Sequence, residues 1–251
     1  MKRISIVLLS LLVLISFVLS ACASTATKKV SVATDATFPP FETVNETSKE
    51  LEGFDIDLMK AVAEKAGFEI EFKNIGFDPM LAGLSQCQYD SAIAAITITE
   101  DRKKEMLFSD PYIKAGQIIS IKKDNTTIKT KEDLSGKKVG AQLGTTGAIE
   151  IENIKDAVLK SYDSYDLAFL DLVNGQIDAV VADYPTALGF VGQNSDKLMV
   201  VGEVFTDESY GIGVCKTNTE LVELINKGLK AVKDEGTITK LEQKWLAGKS
   251  Q

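Results

Sequence analysis

YDSAIAAITITEDRKKEMLFSD, residues 89–110, is the stretch on which the fold of this chain turns. Residues 91–96 are small or apolar, contain neither Pro nor Gly, and have the length of a strand buried on both faces. Thr97-Ile98-Thr99 ends the apolar run, and residues 100–104 are all charged. Thr99 is a good N-cap, with Glu100 and Asp101 in the first turn, where the helix dipole favours acids. A strand therefore opens onto a helix N-terminus, with hydroxyls and free backbone N–H groups at the opening. In an open α/β sheet, ligands sit at the carboxyl ends of strands. Arg102, one turn into the helix, can point its planar fork back over that opening. Arg, two threonines and unpaired N–H groups make a receptor for a carboxylate. The alternative is that Arg102 is one more exposed base in a charged turn.

Working towards the N-terminus, residues 30–34 alternate and read as the first strand, which runs into Asp35-Ala36-Thr37-Phe38-Pro39-Pro40-Phe41. Phe38 follows a strand end, so it is either a core plug or the lining of a cleft. Residues 45–52 are polar and read as a turn. A helix beginning at Gly53-Phe54 carries the apolar stripe Phe54, Leu58, Ala61, Val62 and Ala66 and stops at Gly67. Residues 68–72 alternate strictly and form a strand. Phe77 follows in a loop, before a short helix with Asp78 as N-cap and Pro79 at its first position.

Towards the C-terminus, residues 117–121 and 138–141 read as strands. The second leads into Gln142-Leu143-Gly144-Thr145-Thr146-Gly147 and then a helix. This glycine turn is too short for GxGxxG and lacks the Lys of a P-loop, so nucleotide phosphate is a poor ligand for it. The strand over residues 177–182 ends in Asp183-Tyr184-Pro185. Asp183 is either a helix cap or a ligand for a cation. Strands over 198–201 and 210–215 and helices over 219–233 and 238–245 complete an α/β pattern.

The 251 residues are 45% hydrophobic and 25% charged, enough for two small domains or one large one. A net charge of −8, with the acids dispersed, argues against nucleic acid as a partner. The absence of His excludes His-based triads, His metal sites and imidazole pH switching. No metal and no cofactor is expected. Cys87 and Cys215 have no His or CxxC neighbour and are expected as structural thiols, a disulfide being the alternative. Residues 1–21 read as a leader, with Lys2 and Arg3 ahead of an apolar core over residues 4–19. Leu19-Ser20-Ala21-Cys22 resembles the bacterial lipobox, which implies cleavage before Cys22 and lipidation of its thiol. Residues 22–29 would then be a tether, and the mature protein would be membrane-anchored on the extracytoplasmic face.

The set ATDATFPPFE (33–42), GFDIDLM (53–59), YDSAIAAITITEDR (89–102), FSDPY (108–112), LSGKKVGAQLGTTG (134–147) and KW (244–245) resembles the bacterial extracellular solute-binding protein family 3. These are the amino-acid receptors of ABC importers. The resemblance is collinear over roughly residues 29–246. It implies a two-lobed α/β fold of the periplasmic-binding-protein type II, with lobe 1 from residues 30–115 and 209–247, lobe 2 from 116–208, and the ligand between them. It also implies a role for each matched residue. Arg102 would hold the ligand α-carboxylate, with a hydroxyl from Thr97 and backbone from Ala95 beside it. Thr145 and Thr146 would close on the same carboxylate from the second lobe. Asp183 would take the α-ammonium, Phe38 and Phe77 would sandwich the side chain, and Asp35 would reach a side-chain amide or cation. Gly147 offers no side chain where some receptors for basic amino acids present Gln. The partners implied are a free L-amino acid, with glutamine and the arginine/lysine/histidine group favoured, and the transmembrane subunits of a permease. The protein would be a monomer and not an enzyme. A prephenate or arogenate dehydratase on a similar fold and a sensor ectodomain acting through a separate partner are the rival readings.

Overall fold

A computed structural model describes residues 29–246. The expected leader over 1–21, Cys22 and the tether as far as residue 28 lie outside the described residues. Two five-stranded sheets organise the chain. The first has the order Glu69–Asn74, Lys29–Thr34, Ser91–Ala92, Gly213–Cys215, Met106–Phe108. Its first three strands run parallel, and Gly213–Cys215 is antiparallel to both neighbours. The second has the order Val158–Tyr162, Lys138–Gln142, Ala179–Asp183, Gln117–Lys122, Leu198–Val201. There Gln117–Lys122 is the antiparallel strand, paired with Ala179–Asp183 on one side and Leu198–Val201 on the other. The chain passes between the sheets twice, through Ile113–Ala115 and Glu208–Tyr210, and these two segments pair antiparallel. The result is a two-lobed α/β protein with a cleft between the lobes.

Helix periodicity explains how the first lobe is closed. Phe54, Leu58 and Val62 recur on one face of the Phe54–Ala66 helix, and Leu221, Ile225, Leu229 and Val232 on one face of Thr219–Asp234, all buried. Gly67 ends the first helix in the left-handed conformation, at φ 79°, which costs glycine little. The Lys244-Trp245 pair is a clasp. Both side chains reach Asp57 Oδ2, the ammonium at 2.7 Å and the indole N–H at 2.9 Å, and so tie the Thr237–Trp245 helix to the Phe54–Ala66 helix.

Several expectations are corrected. Only Ser91 and Ala92 of residues 91–96 belong to the sheet. Ala95 adopts φ 45°, and its N–H turns to Asp55 Oδ2 at 2.7 Å instead of a ladder partner, while residues 91–97 stay buried. The apolar run was set by burial, which a turn can share with a strand. Residues 45–52 are not a plain turn. Glu42–Val44 pairs with Leu51–Glu52 and with Thr37–Phe38 in a small sheet, and the largely exposed turn over residues 45–50 that joins two of its strands accounts for the polar sequence. The helix after Phe72 starts at Phe77, with Gly76 in the N-cap position, so Asp78 and Pro79 lie in its first turn. Residues 210–215 divide into Glu208–Tyr210 and Gly213–Cys215, which belong to different sheets. Cys87 and Cys215 are a disulfide, with Cα atoms 4.9 Å apart across a separation of 128 residues. The Phe77–Ser85 helix and the turn after it carry Cys87 back to the end of Gly213–Cys215, which no local pattern reveals.

Candidate functional site

The two strand–helix junctions face each other across the cleft. On the first lobe, the Thr99 hydroxyl accepts from Arg102 N–H at 3.2 Å and caps the Glu100–Glu105 helix. This cap fixes the start of the helix, and Arg102 folds back over it, half-buried. Its Nη1 donates to Thr97 O at 2.7 Å and its Nη2 reaches Gly144 O of the second lobe at 2.9 Å. Its guanidinium also lies 5.5 Å from the Phe77 ring centroid, a cation–π contact. Arg102 is therefore not a solvated base. Two bonds to carbonyls leave further N–H donors of the fork for an anion. Burial lowers its pKa, opposed by the charges of Asp183 and Glu208.

On the second lobe, Thr145 is the N-cap of the Thr146–Glu152 helix. Its hydroxyl accepts from Ala148 N–H at 3.3 Å and donates to Gln142 O at 2.7 Å. That hydroxyl is engaged in the turn itself, whereas the Thr146 hydroxyl faces the cleft. Gly147 is required by space. A Cβ there would lie 2.9 Å from Gln117 Oε1, from Tyr165 Oη and from the Val181 carbonyl oxygen. A Gln at this position would have to displace all three.

Asp183 occupies the N-cap position of the Tyr184–Gln193 helix, yet its side chain makes no cap hydrogen bond. It is 4% exposed, and its Oδ1 has no partner. Pro185 in the first turn removes a donor that a cap would use. Burial, and next the charge of Glu208, raise the Asp183 pKa to about 7. Tyr210 and Gln117 approach the same carboxylate. A buried, uncapped acid is costly unless a cation reaches it.

Asp35 is buried at the end of Lys29–Thr34 and accepts from the Gln142 amide of the other lobe at 2.7 Å and from the Thr37 hydroxyl at 3.0 Å. Burial raises its pKa. Asp166, raised by burial and by the Asp35 charge, stands nearby. The Phe38 ring packs 5.5 Å from that of Tyr165, across the cleft, and Phe77 is buried at the start of its helix. The Ala95 carbonyl direction is fixed by its left-handed backbone, which Asp55 pins through the N–H.

The cleft thus gathers Asp35, Phe38, Phe77, Thr97, Arg102, Thr146 and Asp183, with Ala95 and Thr145 contributing through backbone and turn. Sequence reasoning missed Glu208, Gln117 and Gln142. Glu208 sits in Asp207-Glu208-Ser209, which looks like an exposed acidic loop. The alternation of Glu208 with the buried Tyr210 on one strand face was the signal that could have found it.

A family model described as "Bacterial extracellular solute-binding proteins, family 3" matches residues 30–248. The chain belongs to this family. Among similar family 3 proteins, "ABC transporter arginine-binding protein 1" of Escherichia coli (strain K12) is 37% identical, over 89% of this chain and 93% of that one. The solved structure of an ancestral arginine-binding protein bound to arginine is 46% identical, with a TM-score of 0.84, covering 87% of this chain and 98% of its own. The structure of an ancestral arginine-binding protein bound to glutamine is 47% identical, with a TM-score of 0.81, covering 86% and 97%. This family 3 chain accordingly shares the two-lobed receptor fold over nearly all of its described residues.

Proposed function

We propose that this protein is an extracytoplasmic receptor for a polar or basic L-amino acid, arginine first, delivering it to the transmembrane subunits of an ABC permease. The observation that carries this reading is the pairing, in one cleft, of the half-buried Arg102 with the uncapped, buried Asp183. A zwitterion needs a guanidinium for its carboxylate and an acid for its ammonium, both withdrawn from water and both paired. Arg102, Thr97 and Thr146 take the carboxylate, helped by the turn at Thr145. Asp183 takes the ammonium, and the Ala95 backbone stands beside the carboxylate. Phe38 and Phe77 flank the side chain, and Asp35 receives its polar end. Lobe 1 comprises residues 30–115 and 209–247, and lobe 2 residues 116–208. Because Arg102 and Asp183 stand on different lobes, full pairing exists only on closure, which gives the ligand its preference for the closed form.

Charge selects among ligands. Asp35, Asp166 and Asp183 around one Arg102 leave a surplus of negative charge that a cationic side chain offsets. The arginine in the name of the Escherichia coli relative and in one ancestral structure supports that choice, and the glutamine of the other keeps an amide ligand second. Leader cleavage, lipid on Cys22 and residues 22–29 as a tether would hold the monomer at the outer face of the cell membrane. The relatives are solute receptors, so the protein is not an enzyme in this account.

The test is a thermal-shift screen of the chain from Ala23 onward against the L-amino acids and prephenate. A ligand that binds only the folded state raises the melting temperature by mass action. Arginine or another basic or amide amino acid should give the largest rise. Silence from every amino acid, with turnover of prephenate, would replace the receptor by the dehydratase.

A further inference from the structure

The cleft already holds a carboxylate in the way a ligand's would be held. Glu208 begins the strand Glu208–Tyr210 in the second passage between the lobes. Its Oε2 accepts from the Thr97 hydroxyl at 2.8 Å, from the Thr146 hydroxyl at 2.9 Å and from the Gln117 amide at 3.4 Å. Its Oε1 accepts from the Thr206 hydroxyl at 2.7 Å. Thr97 lies in the first lobe, and Thr146 and Gln117 in the second. A single oxygen is therefore shared across the cleft. Arg102 is near enough for the Glu208 charge to act on it. Thr97, Thr146 and Arg102 are the groups assigned above to the ligand α-carboxylate.

A hydroxyl has one proton to donate. The Thr97 and Thr146 protons cannot serve Glu208 and a ligand carboxylate at once. The Thr146 oxygen is also occupied as an acceptor, by the Gln117 amide at 3.1 Å, which fixes the direction of its proton. Beside this cluster runs an open groove of ≈720 Å³ lined by Thr97, Arg102, Thr146, Ile149, Thr206 and Glu208. It gives the Glu208 side chain space into which to withdraw.

We propose that Glu208 is an affinity-setting residue: an internal carboxylate that competes with the ligand α-carboxylate for the Thr97 and Thr146 hydroxyls and holds the lobes together until the ligand replaces it. The ligand's identity here rests on the amino-acid-receptor reading, whereas closure of the ligand-free protein by Glu208 does not. Arg102 keeps N–H donors free for the incoming carboxylate, and the two hydroxyl protons turn to it. Glu208 then retains the Thr206 hydroxyl and solvent. The exchange replaces one set of charged hydrogen bonds by a similar set, so these hydroxyls add little net affinity while Glu208 is present. Its removal should release that affinity.

The experiment compares wild type with Glu208→Gln and Glu208→Ala in two measurements: calorimetric titration with L-arginine, and small-angle scattering of the ligand-free protein. Glu208→Gln should bind arginine about tenfold more tightly, the scale of one charged hydrogen bond, and should be more open without ligand. Added acetate should close Glu208→Ala and weaken its arginine binding, and should leave wild type unmoved. Unchanged or weaker arginine binding by Glu208→Gln, or variants as compact as wild type and indifferent to acetate, would overturn the proposal. If wild type binds no amino acid at all, the receptor reading fails. Opening of Glu208→Gln and its absence would still decide the internal latch.

Discussion

Asp55 and Asp183 are both buried acids that burial lifts to about 7, and they are held in opposite ways. Asp55 is surrounded by its own protein. Its Oδ2 accepts the Ala95 N–H at 2.7 Å and the Tyr112 hydroxyl at 2.8 Å, while its Oδ1 has no hydrogen-bond partner and Glu42 lies against it. Glu42 is buried without any other partner, and burial and the Asp55 charge raise its pKa well above the usual range. The two acids stand together as a fixed support behind Ala95, where burial disfavours the charge of both. Asp183, in the cap position of a helix, makes no cap bond and leaves Oδ1 unpartnered. The lesson is that burial alone does not mark a site. A buried acid that receives two donors from its own fold, as Asp55 does through Oδ2, builds structure, and one at a cleft that makes no such bond, as Asp183, is available to a cation.

The largest expected effect separates the two directly. Asp55→Ala strands two buried donors, at about 1–3 kcal/mol each, and should lower unfolding stability by several kcal/mol in denaturant melts. Asp183→Ala should cost the ligand-free protein little, because it removes an acid that burial already disfavours. Equal losses would erase the distinction. Next in size, Asp183→Asn should raise the dissociation constant for an amino acid by 30-fold or more, in line with about 2–5 kcal/mol for a truncated buried charge pair. Titration calorimetry reads this, and near-normal affinity would remove Asp183 from the site.

The smallest effect is in the pH dependence. An acid whose folded pKa lies above its unfolded value binds more protons when folded, so stability falls as pH rises between them. For Asp55 and Asp183 that window runs from the ordinary aspartate value of 3.8 to about 7. The ligand-free melting temperature should therefore decline by some degrees across it. The rise produced by ligand should grow over the same window, because the ligand ammonium selects ionised Asp183. A ligand-induced rise independent of pH would contradict the pairing.

Much of this was legible in the residues themselves. Thr99 as cap, Thr145-Thr146 at a helix start, Gly67 as a stop and the Leu221-Ile225-Leu229 stripe are local signals, and each local signal has a local cause. Asp183 was left open between cap and cation ligand, since the sequence places it at a helix start without showing where the side chain turns. What escaped was decided at a distance. The disulfide joins residues 128 apart. The left-handed turn at Ala95 depends on Asp55, forty residues earlier in the chain. Glu208 resembled a loop acid until Thr97 and Thr146 converged on it. The sharing of the chain between two lobes came from family resemblance, because periodicity reports elements and not which sheet they join.

The most direct test of the central claim is a calorimetric titration of the protein with L-arginine and with agmatine, which is arginine without its carboxylate. If Arg102 and Asp183 hold the two ends of a zwitterion, arginine binds one to one and agmatine binds at least 100-fold more weakly, a loss of about 3 kcal/mol or more. Agmatine binding as tightly as arginine would show that no carboxylate is held in the cleft and would contradict the account.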